Sequence, residues 1–186
     1  MNATYPADPL MFGLGLLVAR LVIGLLMAAH GTQKLFGWFG GYGLNTTGEF
    51  FVQLGFERGR AFAALASVAE VASGLLVTLG FLGPVGPALM ISVMLVAAIS
   101  VHWKNGLFAT HNGIEVPLLY ATGAFGLALT GFGDYSLDAL FGIRGVDAGD
   151  HVGRVGGRHC RRDNEPDDQA SRQGTGLTRK SMVGSR

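Results

Sequence analysis

Four apolar stretches, each about as long as a bilayer's hydrocarbon core is thick, limit what this chain can fold into. A core of roughly 30 Å is crossed by about 20 residues of helix rising about 1.5 Å each. The first stretch, "LMFGLGLLVARLVIGLLMAA" at residues 10–29, has Arg20 as its only charge and continues through "HGTQKLF". The second, "AFAALASVAEVASGLLVTLGFL" at 61–82, has only Glu70. The third, "PVGPALMISVMLVAAISVHW" at 84–103, has no formal charge, and Pro84 and Pro87 suit a helix start, where a missing N–H costs little. The fourth, "IEVPLLYATGAFGLALTGF" at 114–132, has Glu115 at its start and Pro117 in its first turn. None is a single amphipathic stripe, so lipid contact on outer faces explains them better than a soluble core. The expected fold is an all-α integral membrane four-helix bundle, with spans at about 10–35, 61–82, 84–103 and 114–132.

Around that domain, residues 10–144, the reading places a short N-terminal segment, 1–9, and a polar tail, 145–186. Nine Lys/Arg and eight Asp/Glu follow Phe132, 17 of the chain's 27 formal charges, so the tail is charged but balanced. With few large apolar residues to offset chain entropy, it is expected to be disordered. A net charge of +1 gives no general attraction to nucleic acid. The lone Cys160 excludes an internal disulfide and a CxxC pair. The N-terminus lacks a basic region and a small-residue cleavage site, so the first run is expected to stay in the mature protein.

Turn signals separate the runs: "GWFGGYGLNTTGEFF", "GFLGPVGP" and "HWKNGLFATHNG". The short middle one makes the second and third helices antiparallel neighbours. Four spans put both termini on one side of a cell membrane. Lys34, Arg58, Arg60 and Lys104 favour one face as cytoplasmic, and Arg144, Arg154, Arg158, Arg161 and Arg162 favour the other; the balance leans to a cytoplasmic tail. Trp38, Phe39 and Tyr42 read as an interfacial aromatic belt.

A carboxylate at mid-span is costly against lipid and so faces protein. At 100° per residue, Ala63, Ala66, Ser67, Ser73, Gly74 and Val77 share the Glu70 face, and Gly24, Met27, Gly31 and Lys34 share the Arg20 face. Both are mostly small residues that permit close helix approach. Arg20 and Glu70 each lie at the middle of their run, which predicts a buried Arg20–Glu70 ion pair. A second polar layer is expected where the first and third helices end and the fourth begins: His30, Lys34, His102, Lys104, His111, Asn112 and Glu115. Its spacing matches no tight metal-ligand motif, and no metal is expected. Glu115 opposite Lys34 would make a wall for a polar head group such as a quinone carbonyl, with His30, His102 and Lys104 beside it.

The order "ARLVIGLLMAAHGTQKLFG", "ASVAEVASGLL", "VHWKNG", "NGIEVPLLY", "GFGDYSLD" resembles the DoxX family of small four-helix membrane proteins, over roughly residues 14–140. The resemblance puts Arg20, Gly24, Gly31, Lys34, Glu70, Gly74, Glu115, Gly133, Ser136 and Asp138 on family-pattern positions, with Asp134 where that pattern has a basic residue. It implies an inner- or plasma-membrane protein associated with redox complexes: members are often named oxidoreductases after a subunit of a thiosulfate:quinone oxidoreductase. Other members are linked to oxidative-stress complexes with a sulfurtransferase and a superoxide dismutase. By that resemblance the cofactor is a quinone, and the partners are the lipid bilayer, a soluble redox protein and further copies of the chain. With one cysteine and no mid-membrane haem ligands, the chain does not carry electrons alone. The expected function is therefore a membrane subunit of an oxidoreductase complex. The alternatives are a scaffold that holds soluble partners by its tail, and a small-solute or proton pathway through Arg20 and Glu70.

Overall fold

The computed structural model describes residues 8–143. The tail, Cys160, the tail arginines and most of the N-terminal segment lie outside the described residues.

Helix α1, Pro9–Phe36, starts where the Asp8 side chain accepts from Leu10 N–H at 3.0 Å and Pro9 takes the first turn. It is followed by a 3-10 turn, Trp38–Gly40, and by a short amphipathic helix α2, Gly43–Gln53. Helix α3, Gly59–Leu79, ends on Gly80, whose φ of +64° no side-chain-bearing residue adopts cheaply. Helix α4, Val85–Ala97, runs on through a π-turn, Ala98–His102, and a 3-10 turn to Asn105. Helix α5, Glu115–Thr130, and the one-turn α6, Leu137–Leu140, complete the order. The long helices form a closed ring: α1 packs along α3, α3 along α4, α4 along α5, and α5 meets α1.

Three helices are long and apolar enough to cross a bilayer, Pro9–Phe36, Gly59–Leu79 and Val85–Asn105, and not the four expected. The fourth run gives the 16-residue α5, about 24 Å long, short of a hydrocarbon core of roughly 30 Å. Its two ends explain the shortfall. Ile114 N–H and Glu115 N–H bond back to the carbonyls of Gly106 and Leu107, holding the start in a loop. At the other end Gly131, at φ +73°, turns the chain out of helix and across the bundle.

The core is narrow and lies between the helices: Leu16, Met27, Val77, Met90, Met94, Ala124, Leu127 and Phe132 are buried together. Outward-facing Val18, Val22, Leu25, Leu65, Val68, Leu75, Leu95 and Ile99 are exposed. An apolar surface of this extent is stable against lipid and not against water. The chain is a multi-pass membrane protein associated with the bilayer. Trp38, Phe39 and Tyr42 are exposed beyond the end of α1.

Candidate functional site

The α1–α3 seam decides where the charged groups go. A Cβ on Gly24 would lie 2.6 Å from the Gly74 carbonyl oxygen, and one on Gly31 would lie 2.6 Å from that of Ser67. The two backbones therefore touch at two levels about seven residues apart, which fixes an antiparallel register. In that register Glu70 faces the His30–Gly31 level of α1. The level of Arg20 belongs to Gly80.

Arg20 and Glu70 consequently do not meet. Ten residues of α3 separate Glu70 from the level of Arg20, about 15 Å along the helix. The expected pairing matched run midpoints, but α1 continues to Phe36 and the glycine contacts, not the midpoints, set the register. Glu70, 1% exposed, pairs instead with Lys34, whose Nζ lies 2.5 Å from Glu70 Oε1. Helical side chains lean towards the N-terminus, so Lys34 reaches back one turn into the seam while its own end of α1 stays near water.

The second Glu70 oxygen, Oε2, is buried and has no hydrogen-bond partner among the described residues. Two serines on the same face do not serve it: Ser67 donates to the Ala63 carbonyl at 2.6 Å, and Ser73 to the Glu70 carbonyl at 3.1 Å. Tyr120 of α5 meets this end of α1. Its ring meets that of His30 edge-on, with centroids 5.8 Å apart. Between α1 and α5 lies an apolar cleft of about 280 Å³, lined by Val22, Ile23, Leu26, Val116, Leu119 and Tyr120.

Arg20, also 1% exposed, works at the other end of the bundle. Its Nη1 donates to the Phe132 carbonyl at 3.0 Å and its Nη2 to the Tyr135 carbonyl at 2.5 Å, with the Phe132 ring 5.7 Å from its Cζ. Buried Asp138 completes the fastening: its oxygens accept from Leu82 N–H at 2.9 Å and Gly83 N–H at 2.7 Å, and its own N–H bonds the Gly80 carbonyl at 3.0 Å. The segment after α5 is thereby tied to α1 and to the α3–α4 turn. Ser136 caps α6 by accepting from Ala139 N–H.

The second polar layer divides. His30 and Lys34 belong to the Glu70 group. His102 and Asn105 instead bind the Asn112 carbonyl, at 2.7 and 3.2 Å, and Glu115 accepts from Ala109 N–H at 2.7 Å. Glu115 therefore fastens its own loop and is not the carboxylate of Lys34. Lys104 is exposed, and the His111 ring hydrogen-bonds its neighbour Thr110 at 3.2 Å.

With this geometry in place, residues 15–103 match the DoxX family model. The chain carries a DoxX-family domain. The matched span contains Arg20, Lys34 and Glu70 and stops at Trp103, so Tyr120 and Asp138, which complete the two ends, lie beyond it. No curated protein and no solved structure matches the chain significantly. Tyr120 had no signal in the sequence beyond being the one phenol in its apolar run. Asp138 stood out only within "GFGDYSLD".

Proposed function

We propose that this DoxX-family chain is the membrane subunit of an oxidoreductase complex that works with a quinone, whose head lies where α1, α3 and α5 converge. One observation carries the reading: a buried carboxylate oxygen, Glu70 Oε2, without a partner among the described residues, in a bundle whose α1–α5 cleft is lined by Tyr120. An unpaired buried oxygen costs about 1–3 kcal/mol or more, a cost that a ligand donor or a proton removes. The residues present fit the group. An apolar tail suits the cleft walls, the Tyr120 hydroxyl and the His30 ring supply polar contacts for a carbonyl, and Lys34 links Glu70 to the watery end of α1.

A bound quinone supplies lipid-soluble two-electron acceptor chemistry. The chain's own residues orient it: the cleft excludes water, Tyr120 marks the depth of the head, and the Lys34–Glu70 pair holds charge and a proton site beside it. Electrons come from a partner protein, which sets the complex in a cell membrane with access to the water phase. His102, Lys104 and Glu115 are left to the loop that closes this end. A proton path across the whole bundle is disfavoured by Met27, Val77, Met90 and Met94, an apolar plug between the levels of Glu70 and Arg20.

The test is extraction in mild detergent from a quinone-containing membrane, with bound quinone and copurifying proteins identified by mass spectrometry. The reading expects quinone at near one per chain, reduced roughly tenfold in Glu70→Gln and in Tyr120→Phe, since each loses one polar contact. Absence of both quinone and a redox partner from the intact protein defeats it.

A further inference from the structure

A second cleft lies at the corner between α2 and α3, away from the Glu70 group. Its volume is about 670 Å³, within the range of small-molecule sites. The corner is tight at its base, where a Cβ on Gly48 would come 2.8 Å from the Arg60 Cα. Leu44 and Val52 of α2 form one wall and Ala61 and Ala64 of α3 the other.

The cleft is apolar along α3 and cationic at its mouth. Arg58 precedes α3 and Arg60 lies in its first turn; both line the cleft, both are exposed, and neither has an ion-pair partner among the described residues. Glu57 also lines it, exposed and one residue further from the helix, so the mouth keeps a net positive charge. Depth gives the decisive constraint. Gly59 begins a membrane-length helix, so Arg58 and Arg60 stand at head-group level while Ala61 and Ala64 step into the hydrocarbon. A phosphate at the mouth with a chain along the apolar walls satisfies both parts at once; a free anion satisfies only the first.

We infer that the α2–α3 corner is a binding site for one anionic phospholipid, its phosphate held by Arg58 and Arg60 and an acyl chain lying between Leu44, Val52, Ala61 and Ala64. Two unpaired cations at the mouth favour a head group of net negative charge over a zwitterionic one, whose own ammonium offsets its phosphate, so the site distinguishes lipids by net charge at the head group. The site stands independently of the quinone reading.

Native mass spectrometry of the intact protein in mild detergent tests this, with phosphatidylglycerol, phosphatidylcholine of the same chains and glycerol phosphate as probes. The expected result is one retained phosphatidylglycerol, preferred over phosphatidylcholine by roughly tenfold, a preference lost in R58Q/R60Q and largely kept in R58K/R60K. Ala64→Trp, which fills the apolar wall and leaves both arginines, is expected to lower retention of both lipids. Equal retention of the two lipids by the wild type, or unchanged preference in R58Q/R60Q, overturns the inference. Displacement of phosphatidylglycerol by glycerol phosphate at equal concentration also overturns it, since the site then binds an anion and not a lipid.

Discussion

At the end of the bundle where α3 turns into α4, Arg20 and Asp138 direct their polar atoms at backbone. At the opposite end, Lys34 and Glu70 direct theirs at each other. Both Arg20 and Glu70 are almost fully buried, and each has one atom without a partner among the described residues, Arg20 Nε and Glu70 Oε2. The consequences differ. Arg20 spreads its charge over three nitrogens, two of them bonded to carbonyls, with an aromatic ring nearby. Glu70 spreads its charge over two oxygens, one of them bare among the described residues. A buried charge whose bonds end on loop backbone is a fastener. One with a vacant acceptor is where the proposal puts ligand binding.

The sharpest way to break this contrast is Arg20→Met. Two buried carbonyls lose a charged donor and the segment after α5 loses its anchor, so stability in a detergent unfolding titration is expected to fall by about 3–5 kcal/mol. A well-folded Arg20→Met protein that lost only bound quinone would erase the difference between the two ends. Lys34→Met comes next: it leaves Glu70 buried without a cation, at about 2–3 kcal/mol, a figure reduced because Lys34 is one-third exposed.

Glu70→Gln sharpens the comparison from the other side. The released Lys34 can extend to water, so unfolding is expected to shift by about 1 kcal/mol or less while quinone retention falls. The smallest expected effect lies in the fastener. Leu82 sits at φ +61°, in the left-handed region, and its N–H is held by Asp138. Leu82→Gly is expected to relieve strain and raise stability by roughly 0.5–1 kcal/mol, read as a higher unfolding midpoint. A loss of stability there would mean that the turn is not strained by its tie to Asp138.

Helix faces were legible in the sequence because period and residue size act locally. Ala63, Ser67, Ser73, Gly74 and Val77 are buried on the Glu70 face of α3, and Gly24, Met27 and Gly31 on the Arg20 face of α1. Pro84 and Pro87 do mark the start of α4. Axial register was not legible. It depends on which glycines of two separate helices touch, and run midpoints misplace it by about ten residues, enough to assign Glu70 the wrong cation. Helix α2 was also hidden, because "GYGLNTTGEFF" has the glycines and threonines of a turn, and its helix is supported by packing on α3 more than by propensity. The length of α5 depended on Gly131 leaving the helix towards Arg20, a contact 112 residues distant in the chain.

The measurement that decides between the two assignments of Glu70 is a pair of double-mutant cycles on unfolding free energy, one for Lys34→Met with Glu70→Gln and one for Arg20→Met with Glu70→Gln. Residues in contact couple and residues far apart add. The structure requires a Lys34–Glu70 coupling of at least about 1.5 kcal/mol and an Arg20–Glu70 coupling within about 0.5 kcal/mol of zero. A strong Arg20–Glu70 coupling with additivity at Lys34 would contradict it.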